Sequence, residues 1–172
     1  MQSSPLNHFR AIIWAGRLIV GAVFVYAGCS KLFTPNLMLN AWFTFKFSVA
    51  NNLTNFGQQV AAFQLLSPGG VWFVAHTLPF AELILGLCLI FGILLRISST
   101  LITLIMLGFL IVVTRAYLLH MNINCGCFAT PEPLDGYTVL RDAALAALAA
   151  VMTLLIFREA KKPHPWTAPA NS

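Results

Sequence analysis

Residues 97–119 read ISSTLITLIMLGFLIVVTRAYLL, a run whose only charge is Arg115 near its end. Crossing the hydrocarbon core of a bilayer takes roughly 20 apolar residues in a helix, and this run is long enough. It shows no two-residue alternation of the kind a barrel strand carries, so its backbone polar groups must be satisfied within a helix. Three more segments pass the same test: Ala11–Gly28, Val71–Leu95 and Val139–Phe157. The expected fold is all-α and integral to the membrane, a four-transmembrane-helix bundle forming one domain over residues 1–160. Residues 161–172, with three prolines, read as a disordered tail.

Composition agrees. Of 172 residues, 59% are apolar and 9% are Asp, Glu, Lys or Arg, against about 25% charged in an ordinary soluble domain. A soluble helical bundle would lack the charge to cover its surface. The net charge of +5 is spread along the chain and forms no patch for a polyanion. Membrane lipid, and no nucleic acid, is therefore the expected surrounding partner. Tyr26-Ala27-Gly28-Cys29 faintly resembles a lipoprotein cleavage site. Bulky Tyr26, and Arg17 inside what should be an uncharged core, favour a retained first helix.

Basic residues near the span ends give the orientation. Arg10, Arg96, Arg158, Lys161 and Lys162 fall on one side; Lys31, Lys46 and Arg141 fall on the other. The positive-inside rule puts both termini in the cytoplasm and the shorter set outside, as in a multi-pass protein of the inner (cytoplasmic) membrane. The first outer loop, Ser30 to Gly70, is too long to be a bare connection. From Leu53 its apolar residues fall at Phe56, Val60, Phe63 and Leu66, one face of a helix. The spacing predicts an additional amphipathic helix in that loop, packing at the interface or on the bundle. Pro68-Gly69-Gly70 is expected to end it.

Cys125-Gly126-Cys127 follows the third span, in the second outer loop. Closing so short a ring as a disulfide is strained, and the glycine eases the backbone cost. A strained, exposed disulfide is a good oxidant of other thiols. The competing readings are two free thiols at a helix end, or half of a metal site that lacks its remaining ligands. Cys29 ends the first span on the same side as the pair, whichever way the bundle faces. It is either a third redox thiol or a packing residue. Cys88 lies roughly 26 Å down the second span and reads as a small core residue, out of reach of the others.

Three ionisable residues fall inside the spans: Arg17, Glu82 and Arg115. Intramembrane charge is costly and faces the bundle interior. Glu82 follows Pro79, which should kink the helix. An Arg17–Glu82 pair is the expected partnership, fixing register or relaying protons. Arg115 is placed to favour a thiolate at Cys125. His76 is a candidate base or quinone hydrogen-bond donor, or simply an interfacial histidine. The alanines of the fourth span permit close helix packing and imply no chemistry.

Four motifs occur in order: Ala27-Gly28-Cys29-Ser30-Lys31, then Leu78-Pro79-Phe80-Ala81-Glu82-Leu83 with Gly86 and Gly92, then Cys125-Gly126-Cys127-Phe128, then Arg141-Asp142. Over residues 10 to 157 the chain resembles the MauE/DoxX family of small membrane proteins, and most of all its MauE branch, named for methylamine utilisation. Ala129 stands where that family often has a glycine. The resemblance implies a four-helix membrane protein tied to redox chemistry. Its cysteine pair maps onto Cys125 and Cys127, linked to disulfide formation in exported, periplasmic thiol proteins. Quinone is the cofactor the DoxX side of the family suggests, with Glu82, His76 and Arg17 as residues for it. No resident metal is implied. Three functions follow as expectations: a thiol–disulfide oxidoreductase acting through Cys125 and Cys127, with Cys29 and Arg115 assisting; a non-catalytic membrane subunit or chaperone of a redox complex; or a soft-metal transporter, since thiolates select soft ions.

Overall fold

The computed structural model of the protein describes residues 5–32, 45–121, 123 and 134–160. These form α1 (Pro5–Leu32), α2 (Phe45–Ala62), α3 (Pro68–Phe91), α4 (Leu95–Leu118) and α5 (Gly136–Ala160). Four of them, all but α2, hold stretches long and apolar enough to cross a membrane. There is no strand among the described residues. The all-helical, four-span bundle expected from hydropathy is therefore the observed architecture.

The burial pattern suits a bilayer. Small and polar residues such as Ser98, Ser99, Ala116 and Ala149 lie inside, whereas Trp72, Phe91, Ile111 and Leu154 lie on the outer surface. In water such a surface would be an aggregation hazard; against acyl chains it costs nothing. With no hydrophobic drive between helices in lipid, association rests on close packing and interhelical hydrogen bonds. Both are present. The Thr153 hydroxyl of α5 donates to the Ser99 carbonyl of α4 at 3.1 Å and lies 2.9 Å from Thr103 Oγ1.

The closest packing joins α1 to α3, which run antiparallel. A Cβ placed on Gly28 would stand 2.8 Å from the Pro79 carbonyl oxygen and 2.9 Å from the Leu83 nitrogen. One placed on Gly86 would stand 2.9 Å from the Gly21 carbonyl oxygen. Only glycine lets these two backbones touch. The same contacts fix the offset of the pair: beyond Gly21 and Gly86, α3 extends about seven residues, roughly 10 Å, further than α1. The step so created is where α2 sits, packed on both helices with Leu53 and Phe56 buried, as is Phe63 just past its end. The Asn52 side chain donates to the Leu32 carbonyl at 3.2 Å, capping the end of α1.

Several boundaries differ from the sequence expectation. The first span continues past Gly28 to Leu32. α2 ends at Ala62, before a turn with Gln64 at φ 53°, so Leu66 leaves the apolar face and is exposed. Pro68-Gly69-Gly70 opens α3, with proline at the helix start where its missing N–H is no loss. The second and third spans part at 92–94. Gly92, at φ 80°, and Ile93 close a Schellman turn, the Ile93 amide donating to the Cys88 carbonyl at 2.9 Å, so Leu95 and Arg96 belong to α4. α5 begins at Gly136 because Asp135 caps it, its Oδ1 accepting from the Thr138 amide at 2.8 Å.

Candidate functional site: a buried ion pair beside an apolar cavity

Lys31 stands in the last turn of α1, at the negative end of that helix, and Glu82 stands on α3. Helical side chains lean towards their own N-terminus. In antiparallel neighbours, Lys31 therefore reaches along the bundle towards Glu82, and Glu82 reaches back. Lys31 Nζ lies 2.7 Å from both Glu82 carboxylate oxygens. The two residues are only 6% and 7% exposed. The Phe56 ring of α2 lies 5.0 Å from Nζ and adds a cation–π contact.

This pair replaces the expected Arg17–Glu82 partnership. Arg17 lies at the other end of the bundle, where its Nε donates to the Leu89 carbonyl at 3.0 Å and an Nη donates to Ile90 at 3.1 Å. Those are among the last carbonyls of α3, beyond the reach of its regular helical hydrogen bonds, and the Leu89 carbonyl also accepts from the Gly92 amide at 3.3 Å. The Trp14 ring covers the guanidinium at 4.7 Å. Arg17 thus acts as the cap of α3, and Gly92 makes room for it: a Cβ there would stand 2.5 Å from an Arg17 nitrogen.

Beside the ion pair is a cavity of about 380 Å³, bounded by all five helices. Its walls are almost entirely aliphatic and aromatic, with Phe24, Phe56, Phe63 and Phe109 among them. Lys31, Glu82, Gln59 and Asp142 are its polar lining. Asp142 is buried and accepts from Arg141 Nε at 3.3 Å. Gly108 of α4 also lines the cavity, and a Cβ there would meet nothing within 4 Å.

Of the other sequence candidates, His76 is on the exposed face of α3, stacked on Trp72 with ring centroids 4.5 Å apart and a ring nitrogen 2.8 Å from the Trp72 carbonyl. It does not line the cavity, nor does Arg17. Arg115 is exposed in the last turn of α4. Cys29 and Cys88 are free thiols, both half-buried. The Gly21–Gly86 crossing separates them by about ten residues along the bundle, roughly 15 Å, beyond disulfide reach. Cys125 and Cys127, like the tail at 161–172, lie outside the described residues. Among the described residues no three His, Cys, Asp or Glu gather as a metal site would require.

In the sequence Lys31 reads as a flanking charge and as the end of the Ala27–Lys31 motif, and Asp142 only as part of the Arg141-Asp142 motif. The signal for Lys31 was available: a buried carboxylate needs a cation, and the glycines at 28 and 86 set the register that brings Lys31 to it.

The fold and this interior define a four-span helical membrane protein with a buried Lys–Glu pair beside a partly hollow core. The family model of methylamine utilisation protein MauE matches residues 9–155, and the chain belongs to that family. No curated protein and no solved structure gives a significant match.

Proposed function

We propose that this MauE-family protein is a membrane thiol–disulfide redox protein. The observation that carries the reading is Cys125-Gly126-Cys127 in the segment between α4 and α5. That segment joins the bundle at the end where α1 finishes, one turn beyond Cys29. The disulfide of the pair takes two electrons and two protons from two thiols of an exported partner, which leaves with a disulfide of its own. The reduced pair then passes two electrons and two protons to a quinone, giving quinol and restoring the disulfide. Arg115 in the last turn of α4 favours the Cys125 thiolate, the leaving group when a partner thiolate attacks the disulfide. Cys29 is the third thiol, able to attack the disulfide of the pair to give a transient Cys29–Cys125 or Cys29–Cys127 disulfide and one free thiolate, which re-forms the pair by the reverse exchange. This end of the bundle faces outward from the inner membrane, with both termini in the cytoplasm.

The test is the double substitution Cys125→Ser and Cys127→Ser, with alkylation and mass spectrometry of the thiols in the parent. The expected result is loss of disulfide formation in the exported partner, and a Cys125–Cys127 pair that changes oxidation state when the quinone pool is reduced. Full function in the serine variant sinks the proposal. It would favour a second reading, a non-catalytic membrane subunit of a redox complex. The family description supports that reading in one respect, since it names a metabolic system and not a reaction.

A further inference from the structure

We infer that the cavity among α1, α2, α3, α4 and α5 is the quinone-binding site, with Lys31 as the hydrogen-bond donor to a quinone carbonyl. Four observations lead there. The volume, about 380 Å³, falls in the range of small-molecule sites, roughly 300–1,000 Å³, and the mostly apolar wall with a few convergent polar groups is their usual form. The cavity lies between membrane-spanning helices, so its ligand arrives from the bilayer and is itself lipophilic.

The third observation concerns donors. An ammonium has three N–H bonds. Two of those on Lys31 are directed at Glu82, and no hydrogen bond to a further acceptor is made by the third among the described residues. A ligand carbonyl supplies that acceptor, and the aromatic rings of Phe24, Phe56 and Phe109 supply faces for a flat head group. The fourth observation is charge. Glu82 neutralises Lys31, and Asp142 is balanced by Arg141. Among the described residues the wall carries no unpaired positive charge for a fatty-acid carboxylate, which favours a neutral carbonyl-bearing ring over the anionic lipids of the same bilayer. The inference rests on the redox reading only for the identity of the electron acceptor. The cavity's preference for a neutral carbonyl stands on geometry.

The experiment uses the full chain in lipid nanodiscs, a photoreactive azido-quinone as label, and decyl-tailed ubiquinone and palmitate as competitors. Saturable labelling of peptides from α1, α2 or α4 is expected, displaced by the ubiquinone and not by palmitate. Gly108→Leu fills the cavity from a position with open space before it, and is expected to cut labelling at least tenfold with an unchanged melting temperature. Lys31→Met with Glu82→Leu removes donor and acceptor together, a replacement that buried pairs often tolerate. It is expected to cut labelling to a similar degree and keeps the question open to test if Gly108→Leu fails to fold. Labelling at the parent level in both folded variants, or displacement by palmitate as effective as by ubiquinone, overturns the inference. Alkylation of Cys125 and Cys127 in the same sample separates the two readings. Thiols that cycle with quinone, without specific labelling of the cavity, sink this site alone. Labelling without thiol cycling sinks the redox proposal alone.

Discussion

Glu82 shows how one residue sets requirements for a whole bundle. A lone carboxylate at this depth carries a solvation cost of several kcal/mol, and the bidentate contact with Lys31 offsets it. Removing one partner strands the other. Glu82→Leu alone is expected to destabilise the protein by about 3–5 kcal/mol, seen as a large drop in melting temperature, while the Lys31→Met and Glu82→Leu double variant melts close to the parent. Equal losses in single and double variants would mean that the pair is not a coupled unit. Asp135, outside the spans, behaves differently. Hydrogen bonds from the Thr138 amide and hydroxyl hold its carboxyl below the usual Asp value of 3.8. A lowered native value means that this capping is complete above the unfolded value and is lost as the pH falls through the native one. The first turn of α5 should therefore fray only in acid, or at neutral pH in Asp135→Ala. Faster hydrogen exchange at the Thr138 amide reports it, and unchanged exchange in the variant would contradict it.

Among the elements, α1 and α3 form the tightest unit, and glycine makes it so. A side chain at Gly28 meets backbone atoms of α3, which have no rotamer to yield, whereas one at Gly16 meets only the side chain of Met152 at 3.4 Å. Gly28→Val is therefore expected to cost at least about 1–3 kcal/mol and to disturb the Lys31–Glu82 contact, while Gly16→Ala costs much less. Comparison of melting temperatures checks the order. A Gly28→Val protein as stable as Gly16→Ala would show that the two backbones can part freely. α2 is the element whose role depends most on its neighbours. Its apolar face was legible as a periodicity, but the surface it covers exists only because α3 outreaches α1. That step lets Asn52 cap α1 and puts Phe56 over the Lys31 ammonium.

For the molecule as a whole, the antiparallel succession of spans puts the end of α1, the end of α4 and the start of α5 together. Gly136 of α5 stands close to Tyr117 of α4, where a Cβ would lie 3.3 Å from the Tyr117 hydroxyl. The outward orientation proposed above predicts that a membrane-impermeant maleimide added to intact cells whose outer membrane has been opened labels reduced Cys125 and Cys127. Cys88, half-buried within its span, should react only after denaturation. Labelling of the pair only after the inner membrane is broken would reverse the orientation.

Sequence by itself determined the four spans, because a backbone in lipid has no alternative to helix once about 20 apolar residues run together. It also determined the helical face of α2 and the Cys-Gly-Cys motif, both local patterns. Tertiary structure decided which cation meets Glu82. Arg17 and Lys31 both carry a positive charge at neutral pH and sit on the same helix, and the choice turns on an offset between α1 and α3 that hydropathy does not contain. Glycine contacts at 21, 28 and 86 set that offset, and with it the ion pair, the cap on α3 and the hollow between the helices. Such features depend on how far one cylinder slides past another, a quantity fixed by packing across distant parts of the chain.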